Sequence, residues 1–318
     1  MDRRTACALV AEVEAEINKV IVGQQWLIRR LLIGLLANGH VLLEGVPGLA
    51  KTLSVKSLAN CLNVRFSRLQ FTPDMLPADI IGTKIYEASL NSFRTDKGPI
   101  FANIILADEI NRATQKTQSA LLEAMQERQV TIGEETYPLD EPFWVLATQN
   151  PVEQEGVYPL PEAQLDRFAM RIHVSYPSHE DEMEMLRRRL TETNVRQIIT
   201  PGDVLSIRRL VSQVHVDDKI REYIIRIIRA TRSGSGPKDS MVNEMVQHGA
   251  SPRSAQHVLA LTRSAAFIDG RSFALPSDVK AIAFDALSHR VIRTMRAEAE
   301  NITPEEILEE VFRAVPIP

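Results

Sequence analysis

The stretch that most constrains this chain is Glu44-Gly45-Val46-Pro47-Gly48-Leu49-Ala50-Lys51-Thr52. It lies between an apolar run, Val41-Leu42-Leu43, and a helical pattern from Leu53 to Leu62. Strand, glycine-bearing loop, Lys-Thr and helix is the order that a phosphate-binding loop requires. In such a loop the backbone N–H groups of Gly45, Val46, Gly48, Leu49 and Ala50, with Pro47 lacking one, and those of the helix start from Lys51 to Leu53, point at a polyphosphate. The helix dipole favours negative charge at the same place. Lys51 reaches the outer phosphates, and the Thr52 hydroxyl ligates Mg2+. Residue 50 departs from the usual G-x-x-x-x-G-K-[ST] pattern by being alanine. Glycine there would allow any backbone angle, whereas alanine requires a negative φ. A negative φ at Ala50 is therefore expected. Taken alone, the stretch is also compatible with a plain Pro-Gly turn between a strand and a helix.

With 318 residues the chain is too long for one ordinary core and suits two domains. Its 44% apolar and 25% charged residues indicate a globular protein, and 5% aromatics point to one rich in helix. The net charge of −4 supplies no global basic field for nucleic acid. Cys7 and Cys61 have no metal or redox spacing and suit a reducing compartment. The first residues lack the apolar core of a signal peptide. The apolar stretch near Leu31–Ala37 is too short to span a bilayer, so cytoplasm is the expected location.

Hydrophobic periodicity divides the chain. Leu9, Val13, Ile17 and Val20 recur at helical spacing, and a second helix runs from Gln25 to Ala37. Strands are expected at Val64–Gln70, Ile104–Ala107, Phe143–Ala147 and Met170–Val174, in addition to Val41–Leu43. The continuous run at Ile104–Ala107 suits a strand buried on both faces of a parallel sheet. Between the strands lie a helix at Gln115–Arg128 and two inserted hairpins. One is formed by Lys84–Ala88 and Ser92–Arg94 around Leu90-Asn91, and the other lies near Val130–Glu141. Beyond Tyr176-Pro177-Ser178 the pattern is all helical. These observations give an α/β nucleotide-binding core over residues 1–177, with a five-stranded parallel sheet, and a helical domain over residues 178–318.

The residues that carry chemistry sit at strand ends. Asp108 and Glu109 follow a buried strand, at the edge where open α/β sheets bind ligands. Asp108 is placed to hold Mg2+, and Glu109 to polarise an attacking water as general base. Asn150 ends the next strand, kept extended by Pro151, and its amide can donate to a γ-phosphate or fix the water. Arg167 precedes the last strand, from which it can project across a subunit boundary; the alternative is a local Asp166–Arg167 surface pair. Ser251 suits an N-cap and Pro252 the first helical position. That puts Arg253 in the first turn, against the helix dipole, as though it faced an anion.

Together these stretches resemble the AAA+ ATPases, and within them the MoxR family. The resemblance rests on Glu-Gly-Val-Pro-Gly-Leu-Ala-Lys-Thr (44–52), Ala-Asp-Glu-Ile-Asn-Arg-Ala (107–113) and Ala-Thr-Gln-Asn-Pro (147–151). It rests also on Leu-Pro-Glu-Ala-Gln-Leu-Asp-Arg-Phe (160–168) and Ala-Ser-Pro-Arg (250–253). It implies an AAA+ P-loop three-layer αβα core with a C-terminal all-α lid. It gives Lys51 and Thr52 the role of Walker A, and Asp108 and Glu109 that of Walker B. Asn150 becomes sensor 1, Arg167 the arginine finger and Arg253 sensor 2. Val22 and Gly23 join the nucleotide contacts beside the adenine. ATP and Mg2+ are the implied ligands, and a hexameric ring the implied assembly. The two hairpins are implied to line its pore. Family members are taken to be chaperone-like remodellers of client proteins. They often work with a von Willebrand A domain partner, in metal insertion and complex maturation.

Two other readings compete. One is an ATPase motor stimulated by nucleic acid, related to helicases and chelatase subunits. Against it stand the net charge of −4 and the few aromatics in either hairpin. The other is a non-catalytic nucleotide-dependent scaffold, which would have no use for Glu109, Asn150 and Arg167.

Overall fold

A computed structural model describes residues 1–46, 49, 51–89, 91–150, 156–187, 195–234 and 241–318. The chain opens with α1 (Arg3–Asn18) and α2 (Gln25–Leu36), then β1 (Val41–Glu44), α3 (Lys51–Cys61) and β2 (Phe66–Gln70). A short helix, α4 (Pro77–Ile81), leads into β3 (Gly82–Glu87) and β4 (Ser92–Lys97). Then come β5 (Ile104–Asp108), α5 (Gln115–Glu127), β6 (Gln129–Ile132), β7 (Glu135–Pro138) and β8 (Trp144–Gln149). A single turn, α6 (Glu162–Leu165), precedes β9 (Met170–His173).

Five of these strands form one parallel sheet in the order β2-β5-β8-β1-β9. The chain enters at β1 and next adds β2 at the far edge, so the strand order reverses beside β1. Such a switch point opens a crevice at the carboxyl ends of the strands. The strands read as unbroken apolar runs because both faces are covered. Val41, Leu43, Ile104, Leu106, Trp144 and Leu146 enter one core with α1, α2 and α3. Leu42, Ile105, Ala107, Val145 and Ala147 enter a second core with α4 and α5.

The two inserts are antiparallel hairpins, β3–β4 and β6–β7, as expected. Leu90, in the expected turn of the first, lies outside the described residues. The hairpins touch. Lys84 Nζ reaches Glu135 at 3.2 Å, and the Thr95 and Tyr137 hydroxyls are 3.0 Å apart. Tyr86 and Phe93 stand exposed on the first hairpin, edge to face with ring centroids 5.3 Å apart.

The rest is α7 (His179–Arg187), α8 (Pro201–Ser212), α9 (Asp218–Ala230), α10 (Met241–Met245), β10 (Val246–His248), α11 (Pro252–Ile268), α12 (Pro276–Leu287), β11 (Ile292–Arg293), α13 (Met295–Ala299) and α14 (Pro304–Ala314). Helix starts are written in local chemistry. Thr200 with Asp203 and Thr303 with Glu306 form capping boxes, each followed by proline at the first helical position. Ser251 caps α11 as its sequence suggests. The expectation of an all-α lid needs one correction: β10 and β11 pair antiparallel through Val246 and Arg293. Strands of three and two residues are too short to show an alternation.

The apolar core runs through the whole chain. Val10, Val13, Ile17, Leu27 and Leu31 of α1 and α2 share one cluster with Val204, Ile207, Leu261 and Phe267 of α8 and α11. Buried polar contacts cross the same seam. Ser264 Oγ donates to Ile33 O at 2.9 Å, and Arg30 Nε meets Asp285 at 2.7 Å. Burial pushes Asp285 up to about 6, against the opposing pull of Arg30. Among the described residues no helix is long and apolar enough to cross a membrane.

Phe267 is fully buried in this shared cluster. Phe267→Ala should cost about 3–5 kcal/mol. Because the core is continuous, urea should remove helical circular dichroism and the fluorescence of buried Trp144 at one lowered midpoint. Helix loss at a lower urea concentration than the Trp144 change would mean that the seam does not couple the two parts.

Candidate active site

Gly45 is where β1 leaves the sheet. A Cβ there would fall 2.6 Å from the Val174 carbonyl oxygen, so only glycine lets the chain turn this close to the end of β9. Val46 is half-buried and Leu49 buried. Pro47, Gly48 and Ala50 lie outside the described residues, and with them the expected negative φ of Ala50; Pro151 does too. Lys51 begins α3, and its Nζ donates to Gly45 O at 2.6 Å. Burial lowers the Lys51 pKa, with the charges of Asp108 and Glu109 pulling the other way.

Leu49, Lys51, Thr52 and Leu53 line a cavity of about 420 Å³ together with Asp108, Glu109 and Asn150. The strand order explains the meeting. β5 and β8 are neighbours, β8 lies beside β1, and all three point their carboxyl ends the same way. Residues far apart in sequence thereby face one crevice.

Four further side chains in or beside this cavity have no role in the nucleotide site on the motif-based expectation, although Thr148 and Arg112 lie within its motifs. The Thr148 hydroxyl donates to Asp108 Oδ1 at 2.6 Å and accepts the Glu109 backbone N–H at 2.8 Å. Arg68 donates from Nη2 at 2.6 Å and from Nε at 3.1 Å to Asp108 Oδ2. Gln70 Nε2 donates to Glu109 Oε2 at 2.9 Å, and Arg112 Nη1 reaches the same oxygen at 3.1 Å. The signal for Arg68 and Gln70 was their i, i+2 spacing at the end of a strand, which puts both on one sheet face. It becomes readable only once β2 is known to pair with β5, with Gln70 opposite Asp108.

Glu109 itself is left-handed, at φ 56° and ψ 48°. A non-glycine residue pays roughly 1–2 kcal/mol for that conformation, and such strain concentrates at functional sites. The Thr148 hydroxyl and the two donors on Oε2 hold the backbone and carboxylate in place.

Arg167 and Arg253 lie elsewhere, together. They line a cavity of about 210 Å³ with Gln126, Arg128 and His257, and share no lining residue with the Lys51 cavity. Arg167 Nη1 donates to Leu122 O at 2.7 Å. It is not paired with Asp166, whose carboxylate is taken by Arg290 Nε at 2.7 Å and the Ser251 hydroxyl at 3.2 Å. Arg253 is half-exposed, with Asp166 at 3.9 Å. Burial lowers His257 to about 4, and the adjacent Arg290 adds to the shift. Val22 and Gly23 also stand apart from the Lys51 cavity. Gly23 is left-handed at φ 71° and packs on α7, where a Cβ would fall 2.5 Å from Asp181 Cγ.

Residues 40–170 match the model of the ATPase family associated with various cellular activities (AAA), and residues 238–311 match the AAA lid domain. The chain is similar to Chaperone MoxR1 of Mycobacterium tuberculosis, with 48% identity over 95% of this chain and 81% of that protein. Protein MoxR of Paracoccus denitrificans is 30% identical over 96% of each chain. A crystal structure of a candidate ATPase from Cytophaga hutchinsonii superposes with a TM-score of 0.93 at 48% identity, covering 99% of this chain and 97% of that one.

The left-handed backbone at Glu109 yields a test that separates stability from chemistry. Glu109→Gly and Glu109→Ala both lose the carboxylate's contacts to Gln70 and Arg112, but only glycine relieves the strain, so Glu109→Gly should be more stable to unfolding than Glu109→Ala by about 1 kcal/mol. Equal urea midpoints for the two variants would show that residue 109 is not strained.

Proposed function

The chain belongs to the MoxR family of AAA+ ATPases, and on that premise we propose that it hydrolyses ATP to ADP and phosphate and acts as a chaperone-like remodeller of partner proteins. The observation that carries the reading is the meeting of Lys51, Thr52, Asp108, Glu109 and Asn150 in one cavity at the sheet's switch point. In this reading Lys51 neutralises the outer phosphates, and the backbone from Gly45 to Leu53 cradles them. Glu109 accepts a proton from the attacking water. Its strained backbone aims the carboxylate, and Gln70 and Arg112 hold that carboxylate until nucleotide arrives. Asn150 donates to the γ-phosphate or the water. Val22 and Gly23 flank the base.

Thr52 and Asp108 offer one hydroxyl and one carboxylate, both hard oxygen donors. That fits Mg2+, which keeps several waters and phosphate oxygens rather than filling an all-protein cage. When bound, the ion would offset the charge developing between the β- and γ-phosphates. Arg68 neutralises Asp108 in the meantime, and must leave Oδ2 for Asp108 to serve as a ligand.

Arg167 and Arg253 serve a neighbour's nucleotide in this reading, within a homo-oligomeric ring taken to be a hexamer. What supports it is that both line one basic cavity sharing no residue with the chain's own Lys51 cavity. An arginine finger supplied this way contributes roughly 10³–10⁵ in rate. We divide the chain into a nucleotide-binding core, residues 1–177, and a lid, residues 178–318, and place it in the cytoplasm. The exposed Tyr86–Phe93 pair suits apolar segments of a client protein better than a phosphate backbone. A von Willebrand A domain protein is proposed as the partner, with metal insertion as one outcome.

Two experiments test these roles. Glu109→Gln should bind ATP and assemble while hydrolysis falls by about 10²–10⁴; normal turnover would remove Glu109 as base. Arg167→Ala should be inactive alone and partly restored by mixing with inactive Lys51→Ala, because each supplies what the other lacks at a shared interface. Absence of any restored turnover in mixtures of assembled protein would place Arg167 outside the neighbour's site.

A further inference from the structure

A separate cavity of about 350 Å³ lies beyond the amino ends of β1 and β8, at the edge of the sheet opposite Lys51. Its apolar floor includes Leu36 from α2, Leu205 and Val211 from α8, and Ala260 from α11. Its charged groups are three arginines, Arg208, Arg209 and Arg263, against one carboxylate, Glu141, with Asn38 and Ser212 as neutral polar neighbours.

Among the described residues none of the three forms a salt bridge. Arg208 Nη2 and Arg263 Nε are buried without any hydrogen-bond partner. Arg128 lies close enough to raise the local positive charge further, and its own guanidinium is spent on Phe143 O and the Asn38 side chain. Burial and then the Arg128 charge pull Arg208 down to about 10, with Glu141 opposing. Arg208 also has a structural duty, since its Nε donates to Leu35 O at 2.9 Å near the end of α2. That contact accounts for one of its donors. It leaves Arg208 Nη2 and Arg263 Nε as buried donors without a partner, while Arg209 stands exposed beside them. A guanidinium donor withdrawn from water with no anion is costly, and two of them around one apolar floor repeat the cost.

We propose that this cavity binds a small multivalent oxyanion with an apolar body, of the phosphate-ester or polycarboxylate class, gripped by Arg208, Arg209 and Arg263. Its volume is that of a small-ligand pocket, about 300 Å³ or more. Guanidiniums present planar forks of donors that match either head group. The apolar floor supplies the contact that inorganic ions lack. Glu141 at the rim limits how much negative charge the site accepts.

The test is calorimetric titration of the Lys51→Ala chain, which removes the phosphate loop's lysine as a competing anion site. Phenyl phosphate and benzene-1,3,5-tricarboxylate, a phosphate ester and a polycarboxylate that each carry an apolar body, are the probes, each at constant ionic strength. At least one should bind saturably, and which one binds assigns the class. Arg263→Gln in the same background should weaken that binding by about tenfold or more, the loss expected for one charge-assisted hydrogen bond. Glu141→Gln should tighten it, the opposite sign from any loss of fold, so the proposal stays testable even if Arg263→Gln does not fold. Binding of neither probe, or binding that is unchanged in both variants, overturns the assignment.

Discussion

A parallel sheet buried on both faces leaves its strands one place for polar chemistry, which is their ends. Leu42, Ile105 and Val145 go to one core, and Leu43, Leu106 and Leu146 to the other. The polar side chains that the sheet brings to the candidate site then stand in the last three residues of a strand or just past it: Arg68 and Gln70 on β2, Asp108 on β5 with Glu109 after it, Thr148 and Gln149 on β8 with Asn150 after it. The strand order does the rest. Because β1 sits beside β8 and β8 beside β5, Lys51 after β1 faces the acids after β5 across one intervening strand. No local sequence rule could bring them together. The sheet does so because its two apolar faces require helices on both sides.

What could be read from the sequence follows from whether the information is contiguous. The phosphate-loop stretch, the apolar run into Asp108-Glu109 and the Ser251-Pro252 helix start are each local, and each element lies close to its expected bounds. The five-stranded parallel sheet and both hairpins were legible because apolar runs and turn residues alternate along the chain. Arg68, Gln70 and Thr148 were not, because their partners come from paired strands rather than from neighbours in sequence. β10 and β11 were missed for want of length. Asp166 pairs with Arg290, 124 residues further on, so the local Asp166–Arg167 pairing does not form. The left-handed Glu109 had no sequence signal at all. Glycine or asparagine announces that conformation, and glutamate there reflects a demand of the site over one of the backbone.

That demand has a visible counterweight. Thr148 touches both members of the acidic pair: its hydroxyl accepts a hydrogen bond from the Glu109 N–H and donates one to Asp108. It thereby satisfies the backbone donor that the left-handed turn exposes, and it fixes one Asp108 oxygen so that only the other is open to a cation. Arg68 occupies that other oxygen, and Gln70 and Arg112 share the Glu109 carboxylate. Hydrogen bonds to charged groups contribute about 1.5–3 kcal/mol each, enough to offset the backbone strain. Asp108 is thereby neutralised by Arg68 of β2 and Glu109 by Arg112, with Gln70 of β2 adding a neutral donor; β2 is also the strand that leads through α4 into the exposed β3–β4 hairpin.

The distribution of arginine separates two kinds of cation. Those with close carboxylate partners, Arg290 with half-buried Asp166 and Arg271 with buried Asp278, join elements of the fold. Arg167 and Arg253 are spent only lightly, on a carbonyl and on a carboxylate 3.9 Å away. Arg208 and Arg263 retain buried donors with no partner. A fold held by hydrophobic burial alone would have replaced such guanidiniums with apolar side chains at no loss, since unpaired buried charge opposes stability. The two cavities that these pairs line meet at Asn38, and neither shares a lining residue with the Lys51 cavity.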